Sequence, residues 1–307
     1  MSSTKRKNIG HSVYQRLLNH AKTHGDDFNL LLFRYGVERL LYRLSISPFA
    51  DIFILKGASL FLVWKGQNYR VTRDADLLGL GPVDAENIAD IFKEICQAVS
   101  DDVDGIQFMP DTIRVAPIRE EHEYGGIRVT LVGMLHHARI PLQIDIGWGD
   151  AVTPAPEKID FPTILDAPKP HLLAYPRYTM VAEKLETMVR LGIANSRMKD
   201  FFDVWLLSRL FEFDGRTLCE AVRNTFQQRS TLLAAGLPMA FTEEFRKDTQ
   251  KQTQWRAFIR KSKPKTEPGD LDTVISEISE FLLPAIKSLQ RDEMLESAWA
   301  KGGPCWK

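Results

Sequence analysis

Apolar residues recur at helical spacing near the start of the chain, over residues 11–24 and 27–46. Gly25 separates the two segments, and a Ser-Pro pair ends the second one. Their leucine and aromatic stripes are typical of core packing rather than of a ligand pocket. The pattern therefore predicts two helices that brace the strand following them.

The stretch from Phe53 to Leu80 then passes from an apolar strand pattern through a glycine turn and a short helix into a second strand. The small residues Gly57 to Ser59, just after Lys56, let backbone amides approach an anion closely. A helix that starts near Ser59 adds the partial positive charge of its N-terminus. The pattern predicts a phosphate-binding turn, with an ordinary surface turn as the alternative.

Two aspartates, Asp74 and Asp76, enter the second of these strands two positions apart. Their side chains share one face, while Ala75 points to the core. Two carboxylates about 5 Å apart repel by roughly 3 kcal/mol at an effective dielectric near 20. Mg²⁺ would remove this cost, because it takes carboxylate ligands together with water and nucleotide phosphates. The pair predicts a magnesium site, and solvated aspartates are the alternative.

Alternating apolar and polar residues predict more strands after a helix over residues 84–100. The strands are expected over residues 112–118, 126–135 and 138–148. Asp145 lies between two isoleucines of the last strand, so its carboxylate is on the polar face of an apolar strand. It is a candidate third acidic ligand, or the base, beside Asp74 and Asp76, and the set suits one or two metal ions. An edge-strand aspartate facing water is the alternative.

Six prolines between residues 151 and 178 exclude a long helix and mark a connection. A boundary here predicts an N-terminal domain of residues 1–165 and a C-terminal domain of residues 166–307. The apolar spacing beyond it is helical, with one helix capped by Thr179 and ending before Gly192. Further helices are expected from about Arg197 and over residues 215–228, 241–260 and 272–290. The final residues GGPCWK are expected to be flexible.

Charged residues gather on two of these C-terminal helices. Lys184 lies in the otherwise apolar run VAEKLETMV, and the next helix begins with Arg197, Lys199, Asp200 and Asp203. Because Lys199 and Asp203 are four residues apart, one interpretation is an exposed ion pair worth a few tenths of a kcal/mol. The other is that these residues line the site, with both lysines contacting phosphates and Asp200 or Asp203 orienting them. The site would then be a cleft between the two predicted domains.

The charge balance restricts how a nucleic acid could bind. Lys plus Arg and Asp plus Glu both number 40, so no global basic field is present and a polynucleotide must meet a local patch. Basic residues with interleaved aromatics offer such a patch, since phosphates supply affinity and bases can stack. The candidate RNA-binding residues are Lys251, Trp255, Arg256, Arg260 and Lys261. A solvated helix face with Trp255 in the core is the alternative.

The cysteines and the hydropathy pattern indicate a compartment. The three cysteines lie far apart and form neither a CxxC pair nor a zinc spacing, which is typical of reduced thiols. No stretch reaches the length of a membrane span, and the charged N-terminus is not followed by an apolar segment. We expect a cytoplasmic protein with no membrane contact.

Five segments in order resemble the AbiEii/MenT nucleotidyltransferase toxins of bacterial toxin–antitoxin systems: LKGASL, RVTRDADLLGLG, LQIDIGWGDAV, VAEKLETMVRLG and NSRMKDFFDVWLL. The resemblance implies an α+β fold. It has a nucleotidyltransferase-type mixed sheet with flanking helices in the N-terminal domain, followed by a mainly helical C-terminal domain that completes the active-site cleft. Ala58 departs from the family pattern, in which a second small polar residue or glycine is often found.

The resemblance also implies residue roles. The implied catalytic residues are Asp74, Asp76, Asp145, Lys184, Lys199, Asp200 and Asp203, the first three also binding Mg²⁺, one ion or two. The implied nucleotide-binding residues are Gly57, Ser59 and Arg197. Lys56, just before the turn, and Arg73, beside Asp74, are further candidates for nucleotide binding.

The implied reaction transfers a nucleoside monophosphate from an NTP to an RNA acceptor, with pyrophosphate leaving. In characterised relatives the acceptor is the 3′ end of tRNA, and the result is a block on translation and growth. A cognate antitoxin is an implied partner. Two alternatives remain: a protein of the same fold that binds nucleotide or antitoxin without turnover, and a transferase acting on a protein or small-molecule hydroxyl.

Overall fold

A computed structural model describes residues 3–81, 85–98, 104–118, 126–303 and 305–307 of the chain. The chain divides into two compact units. The first comprises Met1–Asn68, Thr72–Gly149 and Glu157–Ala174, and the second comprises Tyr69–Val71, Asp150–Pro156 and Tyr175–Lys307. The first unit thus extends beyond residue 165, where the sequence analysis places the boundary, because a strand in the proline-rich stretch joins its sheet.

The first unit is built on a seven-stranded mixed sheet. Its strands are β1 (Phe53–Lys56), β2 (Ala75–Gly79), β3 (Ile106–Ile118), β4 (Gly126–Leu135), β5 (Ala138–Trp148), β6 (Glu157–Asp160) and β7 (His171–Ala174). They lie in the order β3-β4-β5-β2-β1-β7-β6, with β2 parallel to β5, β1 parallel to β7 and the other neighbours antiparallel. The mixed sheet implied by the resemblance is confirmed.

The described part of the first unit has four α-helices. They are α1 (Ser3–His24), α2 (Phe28–Ser45), α3 (Leu60–Lys65) and α4 (Ala85–Gln97). Of these, α1, α2 and α4 pack against the sheet. Asp27 caps α2, because its carboxylate accepts the Leu30 amide hydrogen at 2.9 Å. Apolar side chains of α2 and α4 surround Ala75 and Leu77 of β2, both of which are buried. Strand alternation therefore turns Asp76 towards the opposite face.

The second unit is mainly helical, as expected. Its helices are α5 (Arg177–Leu191), α6 (Met198–Leu210), α7 (Gly215–Gln228), α8 (Glu243–Lys247), α9 (Thr249–Ser262) and α10 (Leu271–Gln290), with a small sheet of β8 (Phe213–Asp214) and β9 (Ala298–Trp299). The cap predicted at Thr179 is wrong, since α5 begins at Arg177 and the buried Thr179 hydroxyl donates to the Thr153 carbonyl at 2.9 Å.

The C-terminal tail packs against the second unit. The Trp306 ring stacks on Phe281, and its indole N–H donates to the Phe281 carbonyl at 3.0 Å. Backbone hydrogen bonds also join Ala298 and Lys307 in both directions. The expected flexible tail is therefore wrong for the residues that the structure describes there.

Across the described ranges, every helix is too short or too polar to cross a lipid bilayer.

Candidate active site

Three carboxylates come together where β2 and β5 run side by side. Asp76 and Asp145 are Cα partners across this parallel pair, and Asp74 immediately precedes β2. One oxygen from each residue lies within 4.8 Å of the other two, and all three side chains are half-buried. The structure thus groups the three aspartates that the sequence analysis selects as metal ligands.

The donor set suits a hard divalent cation. Like charges within 4.8 Å repel, by about 3 kcal/mol per pair at an effective dielectric near 20 before water screens them. Mg²⁺ binds oxygen at about 2 Å, which puts its ligand oxygens roughly 3 to 4 Å apart. The three carboxylates supply oxygen donors whose separation, within 4.8 Å, is close to this spacing. The residues therefore fit Mg²⁺.

The turn after β1 lies directly against Asp76. Lys56 is the Cα partner of Asp76 across β1 and β2. Gly57 has φ +77°, and a Cβ atom there would lie 1.9 Å from an Asp76 carboxylate oxygen. The Ser59 hydroxyl donates to the Lys56 carbonyl at 3.3 Å and closes the turn. Glycine is needed at position 57 both for its backbone conformation and for the space that the carboxylate occupies.

The helix after this turn is shorter than its predicted role requires. Helix α3 has six residues, which is less than two turns. Its summed dipole is correspondingly small, so anion binding at this turn would depend mainly on backbone N–H groups and Lys56. Arg73 is exposed beside Asp74 and remains a predicted nucleotide contact.

Polar neighbours hold two of the aspartates. The Thr72 hydroxyl donates to an Asp74 oxygen at 2.5 Å. Arg128 donates from Nε and Nη2 to the two oxygens of Asp145, each at 2.8 Å, and the Gln143 amide donates to Asp145 at 3.2 Å. A guanidinium fork of this kind is among the stronger hydrogen-bonded ion pairs in proteins. It neutralises one of the three negative charges.

A second cluster belongs wholly to the second unit and centres on Lys184. The Lys184 ammonium donates to Asp200 at 2.7 Å and lies 2.9 Å from an oxygen of Asp203. Arg70 makes a bidentate pair with Asp203 at 2.8 and 2.9 Å, and Arg197 Nε donates to Asp200 at 2.8 Å. The Asp203 side chain is fully buried, and its partners Arg70 and Lys184 are themselves largely buried. Three cations thus surround two carboxylates.

Ion pairing outweighs burial for the titration of this cluster. Burial raises the pKa of the Asp200 carboxyl, but the positive charges of Lys184, Arg197 and Lys199 lower it by more. The resulting pKa is well below the usual range. Asp203 shows the same balance, with burial opposed by Arg70 and Lys184, and its pKa is also lowered. Burial lowers the pKa of Lys184, yet the two carboxylates leave it raised. The groups are therefore charged at neutral pH.

The Lys199 side chain is exposed, and its charge acts on Asp200 from the surface of the cluster. Asp203 is buried against Arg70 and Lys184, so the interpretation of Lys199 and Asp203 as an exposed ion pair is wrong. Asp200 and Asp203 both contact Lys184, and their role in orienting it towards a phosphate stays a prediction. Whether Lys199 contacts a phosphate stays a prediction.

The basic segment on α9 divides into buried and exposed residues. The Lys251 ammonium is buried and donates to the Asn195 carbonyl at 3.0 Å. Trp255 is also buried, with its indole N–H donating to the Gly269 carbonyl at 3.0 Å. The predicted RNA contacts of these two residues are therefore wrong, and the alternative with Trp255 in the core is confirmed. The candidates that remain exposed are Arg256, Arg260 and Lys261.

Sequence analysis missed the arginines that hold the aspartates. The predicted strands contain the signal for Arg128. Strands over residues 126–135 and 138–148, joined by two residues, form a hairpin whose register places Arg128 opposite Asp145. Arg70 gave no local signal, since its partner Asp203 lies 133 positions away.

A mixed sheet with a glycine turn facing paired acidic residues is the arrangement that the sequence resemblance implies for a nucleotidyltransferase. A sequence model of the family described as nucleotidyl transferase AbiEii toxin, type IV TA system, matches residues 39–280. The chain belongs to this family, which comprises nucleotidyl transferase toxins of toxin–antitoxin systems. Membership implies a nucleotide substrate and an antitoxin partner, and nucleotidyltransferases in general use divalent metals.

Two crystal structures from Helicobacter pylori are similar to the chain. JHP933 is 13% identical, with a TM-score of 0.47 over 90% of this chain and 94% of its own. A second H. pylori protein, provisionally described as a nucleotidyltransferase, is also 13% identical, with a TM-score of 0.46 over 91% of this chain and 98% of its own. Comparison with curated proteins gives no match.

Proposed function

We propose that the protein transfers a nucleoside monophosphate from an NTP to the 3′ end of a tRNA, and that this transfer blocks translation and growth. The observation that supports the proposal most is the group of Asp74, Asp76 and Asp145 within 4.8 Å beside the turn at Gly57, in a chain of the AbiEii family. Carboxylates that can hold a metal-bound nucleotide and backbone donors for its phosphates are groups that phosphoryl transfer uses.

In this proposal the first unit binds the triphosphate. Asp74 and Asp76 would hold Mg²⁺, and Asp145 would complete the acidic set and orient the attacking hydroxyl. Bound Mg²⁺ would supply electrostatic stabilisation of the negative charge on the transferring phosphoryl group. Lys56 and the backbone from Gly57 to Ser59 bind phosphate oxygens, and Arg73 offers a further cation from the exposed side.

The second cluster contributes its cations to the same reaction. Lys184 has three N–H donors, and two of them are directed to Asp200 and Asp203. This anchoring fixes the ammonium in one position, so that it can meet a phosphate oxygen without further reorganisation. Arg197 and Lys199 add positive charge at the start of α6. In the proposal these groups balance the charge that develops on the leaving pyrophosphate.

The acceptor is tested by incubating the protein with each of the four α-labelled NTPs, Mg²⁺ and total RNA. The proposal predicts label in a band of tRNA size that periodate oxidation of the RNA 3′ end abolishes. Label on protein or on a small molecule would instead support a transferase for those hydroxyls. Absence of transfer with all four nucleotides would support a protein that binds nucleotide or antitoxin without turnover.

The metal site is tested by Asp76→Ala. Loss of one preorganised electrostatic group costs at least about two decades in rate, so label transfer should fall by that amount. Asp111→Ala removes an exposed carboxylate from β3 of the same unit and serves as the matched control. Equal transfer by the Asp76 variant and the control would refute the assignment of Asp76.

A further inference from the structure

We propose that Arg128 takes the place of a metal ion at Asp145: its guanidinium neutralises this carboxylate in the metal-free protein, is displaced when a divalent cation binds, and then binds the triphosphate. The inference rests on the proposed function, since it takes Asp74, Asp76 and Asp145 as the cation ligands. It assigns to Arg128 a role in cation competition and triphosphate binding that the acidic residues alone do not show.

The geometry of the Arg128–Asp145 pair supports competition between the guanidinium and a cation. Arg128 and Asp145 are directly opposed across β4 and β5, and both oxygens of Asp145 accept from the guanidinium at 2.8 Å. One Asp145 oxygen lies within 4.8 Å of oxygens of Asp74 and Asp76 and could share an ion with them. That oxygen belongs to a carboxylate that Arg128 already holds. A divalent ion and the guanidinium would compete for the same carboxylate, and their like charges repel.

Exposure decides which partner can move. The Arg128 side chain is 42% exposed, whereas that of Asp145 is 17% exposed. The guanidinium is therefore the more accessible partner of the two, while the aspartate is confined by the strands on either side of β5. Gln143 still donates to Asp145 at 3.2 Å and would keep the carboxylate in place after Arg128 leaves.

The chemistry of arginine indicates where the released group binds. A guanidinium presents a planar fork of donors that fits phosphate oxygens as well as carboxylate oxygens. An NTP bound beside Asp74 and Asp76 would present its triphosphate oxygens to such a fork. Cation binding and triphosphate binding would then reinforce each other through one side chain.

A fixed role for Arg128 predicts the opposite result, which makes the inference testable. If Arg128 only orients Asp145, its removal should loosen a metal ligand and weaken cation binding. If Arg128 competes with the cation, its removal should strengthen cation binding and weaken triphosphate binding. The sign of the change in cation affinity distinguishes the two roles.

The experiment measures two affinities of the full-length protein without turnover. Mn²⁺ binding is followed by the electron paramagnetic resonance signal of the free ion, and inorganic triphosphate binding by calorimetry in the presence of Mn²⁺. The variants are Arg128→Gln, Arg128→Lys and the control Arg139→Gln, which removes an exposed arginine from the other end of β5. Circular dichroism and the melting temperature show whether each variant is folded.

We expect Arg128→Gln to bind Mn²⁺ about tenfold more tightly and triphosphate about tenfold more weakly than wild type, the scale of one charge interaction near a protein surface. Arg128→Lys keeps the charge without the fork, so it should raise Mn²⁺ affinity less and retain part of the triphosphate affinity. Arg139→Gln should change neither. Unchanged or weaker Mn²⁺ binding by a folded Arg128→Gln protein would overturn the inference.

Failure of the proposed function would look different in the same experiment. If the wild-type protein and a double variant, Asp74→Asn with Asp76→Asn, bind Mn²⁺ with the same affinity, these two residues form no cation site. That outcome would overturn the metal assignment and the inference together. Binding that depends on both aspartates but is not increased by Arg128→Gln would overturn the inference alone.

Discussion

Replacing Gly57 by alanine tests whether the turn and the acidic residues form one site. A new Cβ would lie 1.9 Å from an oxygen, 2.8 Å from Cγ and 2.9 Å from Cβ of Asp76. Ordinary contacts between such atoms are about 3.5 Å, so the carboxylate or the turn has to move by more than about 1 Å. Displacements of about 1 Å in an active site can reduce rates by about a hundredfold. We therefore expect about a hundredfold less label transfer and weaker Mn²⁺ binding.

The backbone contribution is separated by a second glycine. Gly66 ends α3 with φ +69°, close to the +77° of Gly57, and a Cβ there would have no atom within 4 Å. Alanine at either position pays the left-handed backbone penalty of about 1 to 2 kcal/mol, which urea unfolding should detect in both variants.

Only Gly57→Ala should lose transfer activity and Mn²⁺ affinity. Full activity in Gly57→Ala would refute the close approach of the turn to Asp76. An equal loss of activity in Gly66→Ala would show that backbone strain, rather than displacement of the carboxylate, is responsible.

Three further predictions concern the second unit. Asp203→Asn leaves Lys184 with one carboxylate fewer, so the free energy of unfolding should fall by about 3 to 5 kcal/mol at pH 7. Because the folded pKa of Asp203 is lowered, its stabilising contribution is present above the unfolded pKa near 3.9 and is lost as the pH falls through the folded pKa. The urea unfolding curves of wild type and variant should therefore converge in acid. Trp306→Ala should lower the free energy of unfolding by about 1 to 3 kcal/mol through loss of its stacking on Phe281, whereas an unchanged urea midpoint would indicate that the tail does not pack. A triple variant that replaces the exposed cations of α9, R256Q/R260Q/K261Q, should bind tRNA more weakly and reduce the slope of log affinity against log salt by about 2 to 3; an unchanged slope in filter binding would exclude this face as the RNA contact.

Local patterns were sufficient to predict the acidic residues and their faces. Strand alternation around Asp76 and Asp145 places each carboxylate opposite buried neighbours, Ala75 and Leu77 in one case and Ile144 and Ile146 in the other. The predicted strands 126–135 and 138–148 coincide with β4 and β5. What alternation does not supply is that β2 lies parallel to β5, since this pairing joins segments about seventy residues apart and depends on the packing of the whole sheet.

Other features depend on tertiary contacts that the residue types along the chain do not reveal. The proline-rich stretch contains two short strands, and β7 joins the sheet beside β1 although prolines flank it on both sides. Lys251 has the sequence character of a surface cation, but its ammonium is buried against the Asn195 carbonyl. Trp255 is interleaved with basic residues and is nevertheless part of the core. Charge alone therefore did not distinguish an RNA-binding face from a structural one.

The most direct test of the central claim compares two labels on the same nucleotide. Wild-type protein is incubated with total RNA and Mg²⁺ and with each NTP carrying either an α-phosphate or a γ-phosphate label. Nucleotidyl transfer predicts that the α label enters RNA while the γ label leaves as pyrophosphate, and that Asp76→Ala reduces incorporation by at least about a hundredfold. Transfer of the γ label to RNA, or equal α incorporation by the variant, would contradict the account.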